Sequence, residues 1–410
     1  MSSSLPPNRL HEIEQELNKR WPESKIEPTL DRIIALTDAL GSPQLSYPSI
    51  HIAGTNGKTT TARMIDQLLT ELGYRVGRYT SPHLESFTER ISIKGQPISD
   101  QQMITTYDDI ALYLDLIDSR QPFPISYFEA LTAMAFVAFA EYPVDVGVIE
   151  AGMGGQWDAT NVLSSLVSVM TPIGFDHMDL LGNTLAQIAI EKAGIIKPSV
   201  PVVISEWHRD TEAAFKAKSA AVGAPIYFAS DLIEKQYATD LKGAYQEKNT
   251  KGVVAALRHL SGFNVTSNHI KMGLSNVVGL TGLLGRWQVL QHKPLVIADT
   301  AHNEAGISIV VKQLLKTPHK RLHMVLGFVK DKDLNTILPL LPVDALYYIA
   351  APAIQRGLDP LVFIEQAKRY NLFCNHYESV NEAFKAAKKQ AKKEDLVFIG
   401  GSNFVVAEVV

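Results

Sequence analysis

An α/β fold with mainly parallel sheets is predicted by three observations. Short apolar runs alternate with longer helix-like stretches, the pattern of strands linked by helical crossovers. The alternation occurs twice, once before residue 280 and again from about residue 294. At residues 49–72 an apolar run, a glycine-containing loop and an amphipathic stretch follow one another directly.

In the first series the clearest strands are Ser49–Ala53, Arg75–Tyr79, Val144–Glu150, Leu166–Met170 and Pro201–Ile204. Thr60–Leu72 reads as a helix because Met64, Ile65, Leu68, Leu69 and Leu72 share a face, and Gly73 is its stop. Tyr127–Glu141 and Thr184–Ala193 read similarly. In the second series the strands are Leu295–Ala298, His323–Leu326, Leu346–Ala350 and Leu396–Ile399, with helices at Ala305–Leu315, Pro360–Arg369 and Glu382–Lys392. Asp359 suits an N-cap and Pro360 the first helical position. Between the series, residues 279–285 hold three glycines in seven positions, which suits a hinge better than a helix interior. The expected domains are therefore 1–280 and 286–410. One large sheet with an insertion is the alternative.

The 410 residues are 46% hydrophobic and 20% charged, ordinary for a globular protein of two or three domains. Lys+Arg 39 against Asp+Glu 43 leaves a net charge of -4, without the basic excess of a generic nucleic-acid binder. One cysteine, Cys374, excludes an intramolecular disulfide framework and fits a reducing compartment. The segment Met1–Asn8 lacks the apolar core of a signal peptide, and no apolar run is long enough for a bilayer. A cytoplasmic, monomeric protein with neither membrane nor nucleic-acid partner is expected.

The strongest local signal is Gly54-Thr55-Asn56-Gly57-Lys58-Thr59 between strand and helix. Backbone N–H groups and a helix N-terminus can hold triphosphate oxygens. Lys58 can reach the β and γ phosphates, and Thr59 can offer a hydroxyl to Mg²⁺. The generic spacing would need glycine at Ile52, so the strict motif fails. The residues alone imply a nucleoside triphosphate. Glu150 ends a buried-looking strand ahead of a glycine-rich turn, on the side where open α/β sheets bind ligands. A carboxylate there suits a hard cation and phosphate oxygens. Asp176-His177 lies just past another strand end.

In their order along the chain, these segments resemble the folylpolyglutamate synthase/dihydrofolate synthase family within the Mur-type ligases. The resemblance rests on Leu30–Ile33, Pro48–Thr59, Thr80-Ser81-Pro82-His83-Leu84, Glu89-Arg90-Ile91, Glu150–Asn161, Asp176-His177, Glu191–Gly194, Gly285-Arg286-Trp287 and Asp299–Asn303. It implies an N-terminal ATP-binding domain of the Mur-ligase central type with a P-loop, and a smaller Rossmann-like C-terminal domain. It implies that Gly54 through Thr59, with Asn249, Arg286 and Asp299, bind ATP. Ser81, Glu150 and Thr59 would serve one Mg²⁺, and His177, Lys192 and Glu150 a second. Because an ammonium repels Mg²⁺, the family's Lys192 would act as a carbamate. Pro82, Phe128, Asp158 and Ala159 would line the pteroate or folate site, and His302 and Ser402 the glutamate site. Lys58, Lys192 and His302 are the expected catalytic residues. Two departures stand out: Gln156 where the family often has arginine, and Thr300 where glycine is commoner. The β-branched Thr300 is expected to avoid positive φ and so to alter its loop.

The implied reaction is ATP-dependent ligation of L-glutamate to a reduced folate, and also to dihydropteroate, through an acyl phosphate. The alternatives are another Mur-type amino-acid ligase acting on a cell-wall precursor, and a P-loop NTPase that ligates nothing. The Asn-Lys-x-Asp base-recognition motif of GTPases is absent.

Overall fold

The computed structural model describes residues 9–20 and 28–410; the segment Met1–Asn8 discussed above therefore lies outside the described residues. The class is α/β, as the alternation predicts. Fourteen strands are present among the described residues. They are β1 (Ser49–Ala53), β2 (Val76–Tyr79), β3 (Ile91–Ile93), β4 (Gln96–Pro97), β5 (Val146–Glu150), β6 (Ser165–Met170), β7 (Val202–Ile204), β8 (Ile226–Phe228), β9 (Gln288–His292), β10 (Leu295–Asp299), β11 (Leu322–Leu326), β12 (Leu346–Ile349), β13 (Cys374–His376) and β14 (Leu396–Gly400).

The chain divides into two compact units. The first comprises Met1–Ile173, Leu181–Ala238 and Lys248–Thr281, and the second Gly174–Leu180, Thr239–Glu247 and Gly282–Val410. Two short segments before residue 280 thus group with the second unit, whereas the sequence reading kept everything to residue 280 together. Within 279–285, Gly279, Leu280 and Thr281 are helical, in Val277–Thr281, although three glycines had argued against a helix there. Arg63 explains part of this. Its guanidinium donates to the carbonyl of Thr281 and gives that helix end a partner.

In the first unit the sheet order is β4-β3-β2-β5-β1-β6-β7-β8. β2 through β8 pair in parallel across β5, β1, β6 and β7, and β3 and β4 close one edge antiparallel. β1 and β5 are buried along their whole length, as expected of strands covered on both faces. The apolar helix Tyr127–Glu141 packs in the main core with Ile33, Leu36, Tyr79 and Met103. Its start is set by a capping box, Ser126 with Glu129. Arg32 and Glu129 form a buried ion pair at 3.1 Å, which ties the helix Asp31–Ala39 to that same turn.

In the second unit the order is β13-β12-β11-β14-β10-β9, parallel except for β9, which pairs antiparallel with β10. Asp299 and Leu326 both pair with Gly400. The carboxyl ends of β10, β11 and β14 therefore share one rim of the sheet, the rim on which open parallel sheets carry their ligands.

Candidate active site

In the first unit β1 lies between β5 and β6, and Ile52 pairs with Glu150. The loop that leaves β1 is thereby placed beside the end of β5. Gly54 and Gly57 both have positive φ, 148° and 88°. A Cβ on Gly54 would strike Thr171, and one on Gly57 would strike the amide of Asn249, so the predicted nucleotide residue Asn249 sits against the loop. Pro172 O accepts from the N–H groups of Thr55 and Asn56 at 3.1 and 3.2 Å and fixes the loop from beneath. The helix Lys58–Glu71 is capped by Gly57, and no side chain accepts from its first N–H groups. Those donors remain for an anion. Lys58 Nζ folds over the loop and donates to Gly54 O at 3.3 Å.

Thr59, Ser81 and Glu150 come together. Thr59 Oγ1 donates to Glu150 Oε1 at 3.1 Å, and the Ser81 N–H reaches Glu150 Oε2 at 3.4 Å. Glu150 is buried. A hydroxyl, a second hydroxyl-bearing residue and a carboxylate beside a phosphate loop are the hard oxygen donors that Mg²⁺ prefers. The Ser81–Pro82 bond is cis. Beyond it, the Glu89 carboxylate accepts from the N–H groups of Leu84, Glu85 and Ser86, and Arg90 Nε donates to His83 Nδ1 at 2.9 Å. These bonds explain why Glu89-Arg90 accompanies this loop. Lys192 is buried, and its Nζ donates to Gly54 O at 2.8 Å. The structure thus brings this lysine to the phosphate loop, although helix periodicity gave no reason to expect it there.

Around the loop after β5, Phe128 packs over Gly152, where a Cβ would enter its ring, and lies 6.0 Å from Tyr79. Asp158 is buried, and its carboxylate is already engaged. Oδ2 accepts the Met153 N–H at 2.9 Å, while Oδ1 accepts the Thr160 N–H at 3.0 Å and the Thr160 hydroxyl. Burial raises its pKa, and these bonds offset part of the rise. Thr160 Oγ1 also contacts His51 Nε2 at 2.8 Å. Since the Thr160 proton goes to Asp158, His51 Nε2 must be the donor. Burial, with a smaller contribution from Lys197, lowers the His51 pKa to about 3, so the ring is neutral. Ala159 is buried in the turn after Asp158.

The second unit holds the other predicted residues. The Asp299 carboxylate accepts from Tyr245 Oη at 2.7 Å, the Trp287 N–H at 2.8 Å and the Ala301 N–H at 2.9 Å. Burial raises its pKa, and the Tyr245 bond and the Arg286 charge counter that only in part. Thr300 is not among the residues with positive φ. Its hydroxyl instead accepts from Arg286 and donates to Gly285 O at 3.1 Å. Here the threonine locks the loop to Gly285. His302 Nδ1 contacts Thr300 O at 2.9 Å, which leaves Nε2 facing Asp176 Oδ2 at 3.4 Å. Lys332 Nζ donates to Asp176 Oδ1 at 2.6 Å, and Asn303 Nδ2 to Oδ2 at 3.2 Å. Burial would raise the Asp176 pKa. The His302 bond and the charges of His177, His302 and Lys332 overcome it and hold this carboxyl far below the usual range. His177 itself has a positive φ of 49°. Ser402 caps the helix Asn403–Ala407 through its Oγ, which accepts from the Phe404 N–H.

Sequence reasoning missed Lys332, Tyr245 and His51. Lys332 stands in Asp331-Lys332-Asp333, just beyond β11 on the ligand-bearing rim. A lysine between two carboxylates past a strand end was the available signal. No cluster of three or more His, Cys, Asp or Glu residues capable of holding a metal occurs among the described residues. The oxygen donors that meet beside the loop of the first unit are hydroxyl-bearing residues and a single carboxylate. No helix among the described residues is long and apolar enough to cross a membrane.

Comparison with known proteins agrees with this geometry. The family model for the Mur ligase middle domain matches residues 52–277, and that for the Mur ligase glutamate ligase domain matches 285–403. A dihydrofolate synthase/folylpolyglutamate synthase of Mycobacterium tuberculosis is 40% identical over 391 residues, 85% of this chain and 80% of that protein. E. coli FolC in complex with DHPP and ADP has a TM-score of 0.87 at 28% identity, covering 98% of this chain and 96% of that one. A bifunctional folylpolyglutamate synthase/dihydrofolate synthase with Mn, AMPPNP and L-glutamate bound has a TM-score of 0.84 at 28% identity, covering 98% and 97%. The chain belongs to the folylpolyglutamate synthase/dihydrofolate synthase family of Mur ligases.

Proposed function

We propose that this chain ligates L-glutamate to reduced folates and to dihydropteroate, with cleavage of ATP to ADP, by way of an acyl phosphate. The observation that carries the proposal is the meeting of Thr59, Ser81 and Glu150 beside an uncapped helix N-terminus and Lys58. A carboxylate is too poor an electrophile to form an amide directly. Transfer of the γ-phosphoryl group to its oxygen creates a leaving group, and the neutral amine of glutamate then attacks the carbonyl carbon and expels phosphate. Lys58 and the first N–H groups of the helix Lys58–Glu71 hold the phosphate oxygens and offset the charge on the transferring group. Thr59, Ser81 and Glu150 would hold Mg²⁺, which would supply Lewis-acid neutralisation of that charge.

Lys192 is the proposed ligand of a second ion as a carbamate, and His177 is the second unit's candidate donor. Asn249, Arg286 and Asp299 are assigned to the nucleotide, Pro82, Phe128, Asp158 and Ala159 to the pteroyl acceptor, and His302 and Ser402 to glutamate. Both acceptors share the pterin and aminobenzoate rings, and the relatives named above include bifunctional enzymes. A hinge at 279–285 and a monomeric, cytoplasmic enzyme complete the proposal. The deciding experiment follows glutamate-dependent ADP release by the purified protein given either dihydropteroate or tetrahydrofolate. Release with both is expected. Product from tetrahydrofolate alone would reduce the activity to polyglutamation, and release with neither would overturn the assignment.

A further inference from the structure

Asp299 ends β10 on the ligand-bearing rim of the second sheet and is buried there. Its Oδ1 accepts from the Ala301 N–H at 2.9 Å, and its Oδ2 from the Trp287 N–H at 2.8 Å and the Tyr245 hydroxyl at 2.7 Å. Tyr245 is the only side chain among these donors. It stands 54 residues earlier in the sequence and is itself held from several directions. The Ala244 N–H donates to Gln313 Oε1 at 2.7 Å, and Gln313 Nε2 donates to Lys242 O at 2.9 Å. The tyrosine ring lies so close to Gly243 that a Cβ there would collide with it. Burial and the Asp299 charge push the Tyr245 pKa well above the ordinary phenol value, so the hydroxyl keeps its proton and is the donor. Arg286 bonds Gly285 O and Thr300 Oγ1, and it acts on Asp299 through its charge. A carboxylate offers about four lone-pair positions. With two donors on Oδ2 and one on Oδ1, the position that stays open is on Oδ1.

We propose that Tyr245 is a positioning residue for nucleotide binding, which fills Oδ2 of Asp299 and so keeps Oδ1 as the acceptor for a hydroxyl or amino group of ATP. This rests on the assignment of Asp299 to the nucleotide above. An ionised carboxylate repels the phosphates, and the donors that ATP can offer it are the ribose hydroxyls and the adenine amine. The same bond protects the charge that such donors need. Burial raises the Asp299 pKa, and the Tyr245 bond is the first of the influences that oppose it, ahead of the Arg286 charge.

Calorimetric titration of ATP into the wild type, Tyr245→Phe, Asp299→Asn and the double variant tests the idea. Tyr245→Phe keeps the ring and removes one oxygen. It should weaken ATP binding about tenfold, the scale of one hydrogen bond to a charged group. Its KM for glutamate should stay within about twofold. In the Asp299→Asn background the same change should add little, because its route to the nucleotide is gone. The carboxylate form is lost as pH falls through the Asp299 pKa, and without the Tyr245 bond that pKa rises further. Affinity in Tyr245→Phe should therefore begin to fall at a higher pH than in the wild type, and comparing the two cancels the titration of ATP itself. Gln313→Ala loosens the support of Tyr245 without touching the carboxylate, and should weaken ATP binding by a smaller factor. Wild-type ATP affinity in both Tyr245→Phe and Gln313→Ala would overturn the positioning role and leave the ligase reading standing. Full additivity in the double variant, or an equal rise in the KM values for ATP and glutamate, would also overturn it. A wild-type protein that binds no ATP would remove both proposals.

Discussion

The two units contain the same junction built for opposite purposes. In each, a buried parallel strand runs through a four-residue connector into a helix: residues 54–57 between β1 and the helix Lys58–Glu71, and residues 300–303 between β10 and the helix Glu304–Lys316. The first connector begins and ends with glycines at positive φ and leaves the helix without a side-chain cap. The second has no positive φ, and Asn303 caps its helix by accepting from the Gly306 N–H at 2.9 Å. The first junction offers backbone N–H groups, a site for phosphate. The second caps its own helix and displays side chains instead, with His302 and Asn303 turned to Asp176. The difference teaches that a missing cap can signal function as clearly as a motif.

The largest break of this contrast is expected at Lys58, the one cation of the first connector's helix turn. Lys58→Ala should lower kcat by about 10²–10³-fold, the usual cost of losing a preorganised group that stabilises transition-state charge. Circular dichroism should be unchanged. A folded Lys58→Ala protein that releases ADP normally would refute the phosphate-loop assignment. Lys192 should come next. Lys192→Ala should lose roughly 10–100-fold in activity, on the scale of lost metal-site support. Added short carboxylates should restore part of the rate if the missing group is a carbamate. Full activity without additive would rule the carbamate out, and loss without rescue would leave Lys192 as a partner of Gly54 O.

How much of this was legible depends on whether the signal is local. β1 and the helix Tyr127–Glu141 were predicted with the bounds they have, because each is an apolar stretch with polar residues or turn formers at its ends. The short strands β3, β4, β8, β9 and β13, at or next to the sheet edges, were not read. Each is three residues or fewer or partly exposed, so alternation has little room to register. Among the candidate site residues, the glycine loop after β1 and Glu150 at the end of β5 stand where strand ends and glycines put them in the sequence reading. The Asp176 cluster could not, because its members Lys332 and Asn303 stand 156 and 127 residues away in sequence. At Asp158 the fold adds what the sequence did not display, bonds from Met153 and Thr160 to its carboxylate.

Lys332 sharpens the comparison within the second unit. Its side chain is 9% exposed and that of Asp176 12%, so this ion pair is largely screened from water. Lys332→Met should strand the carboxylate and destabilise the second unit by about 3 kcal/mol, the usual cost of breaking one side of a buried pair. It should also raise KM for glutamate, because Asp176, which faces His302, would lose the lysine that holds its other oxygen. The double variant Asp176→Asn/Lys332→Met should recover part of the stability, since no buried charge is left unpaired. A double variant as unstable as Lys332→Met would mean that the pair's charge is not what holds this cluster.

The smallest expected effect isolates the cap itself. Asn303 does two things: its Oδ1 accepts from the Gly306 N–H, and its Nδ2 donates to Asp176 at 3.2 Å. Serine can still accept from the helix N–H but cannot replace the amide donor, and alanine can do neither. If the cap matters most, Asn303→Ala should cost about 1 kcal/mol and Asn303→Ser only a few tenths. If the bond to Asp176 dominates, serine should lose as much as alanine. Trp287 is buried and is the only tryptophan in the second unit, so urea unfolding followed at Trp287, with the other three tryptophans replaced by phenylalanine, reports on this unit alone. A difference in midpoint at equal slope between the serine and alanine variants gives the cap's contribution directly. Both variants should still turn over. Asn303 caps the second junction's helix with its own side chain, whereas no side chain of Gly57 can cap the first.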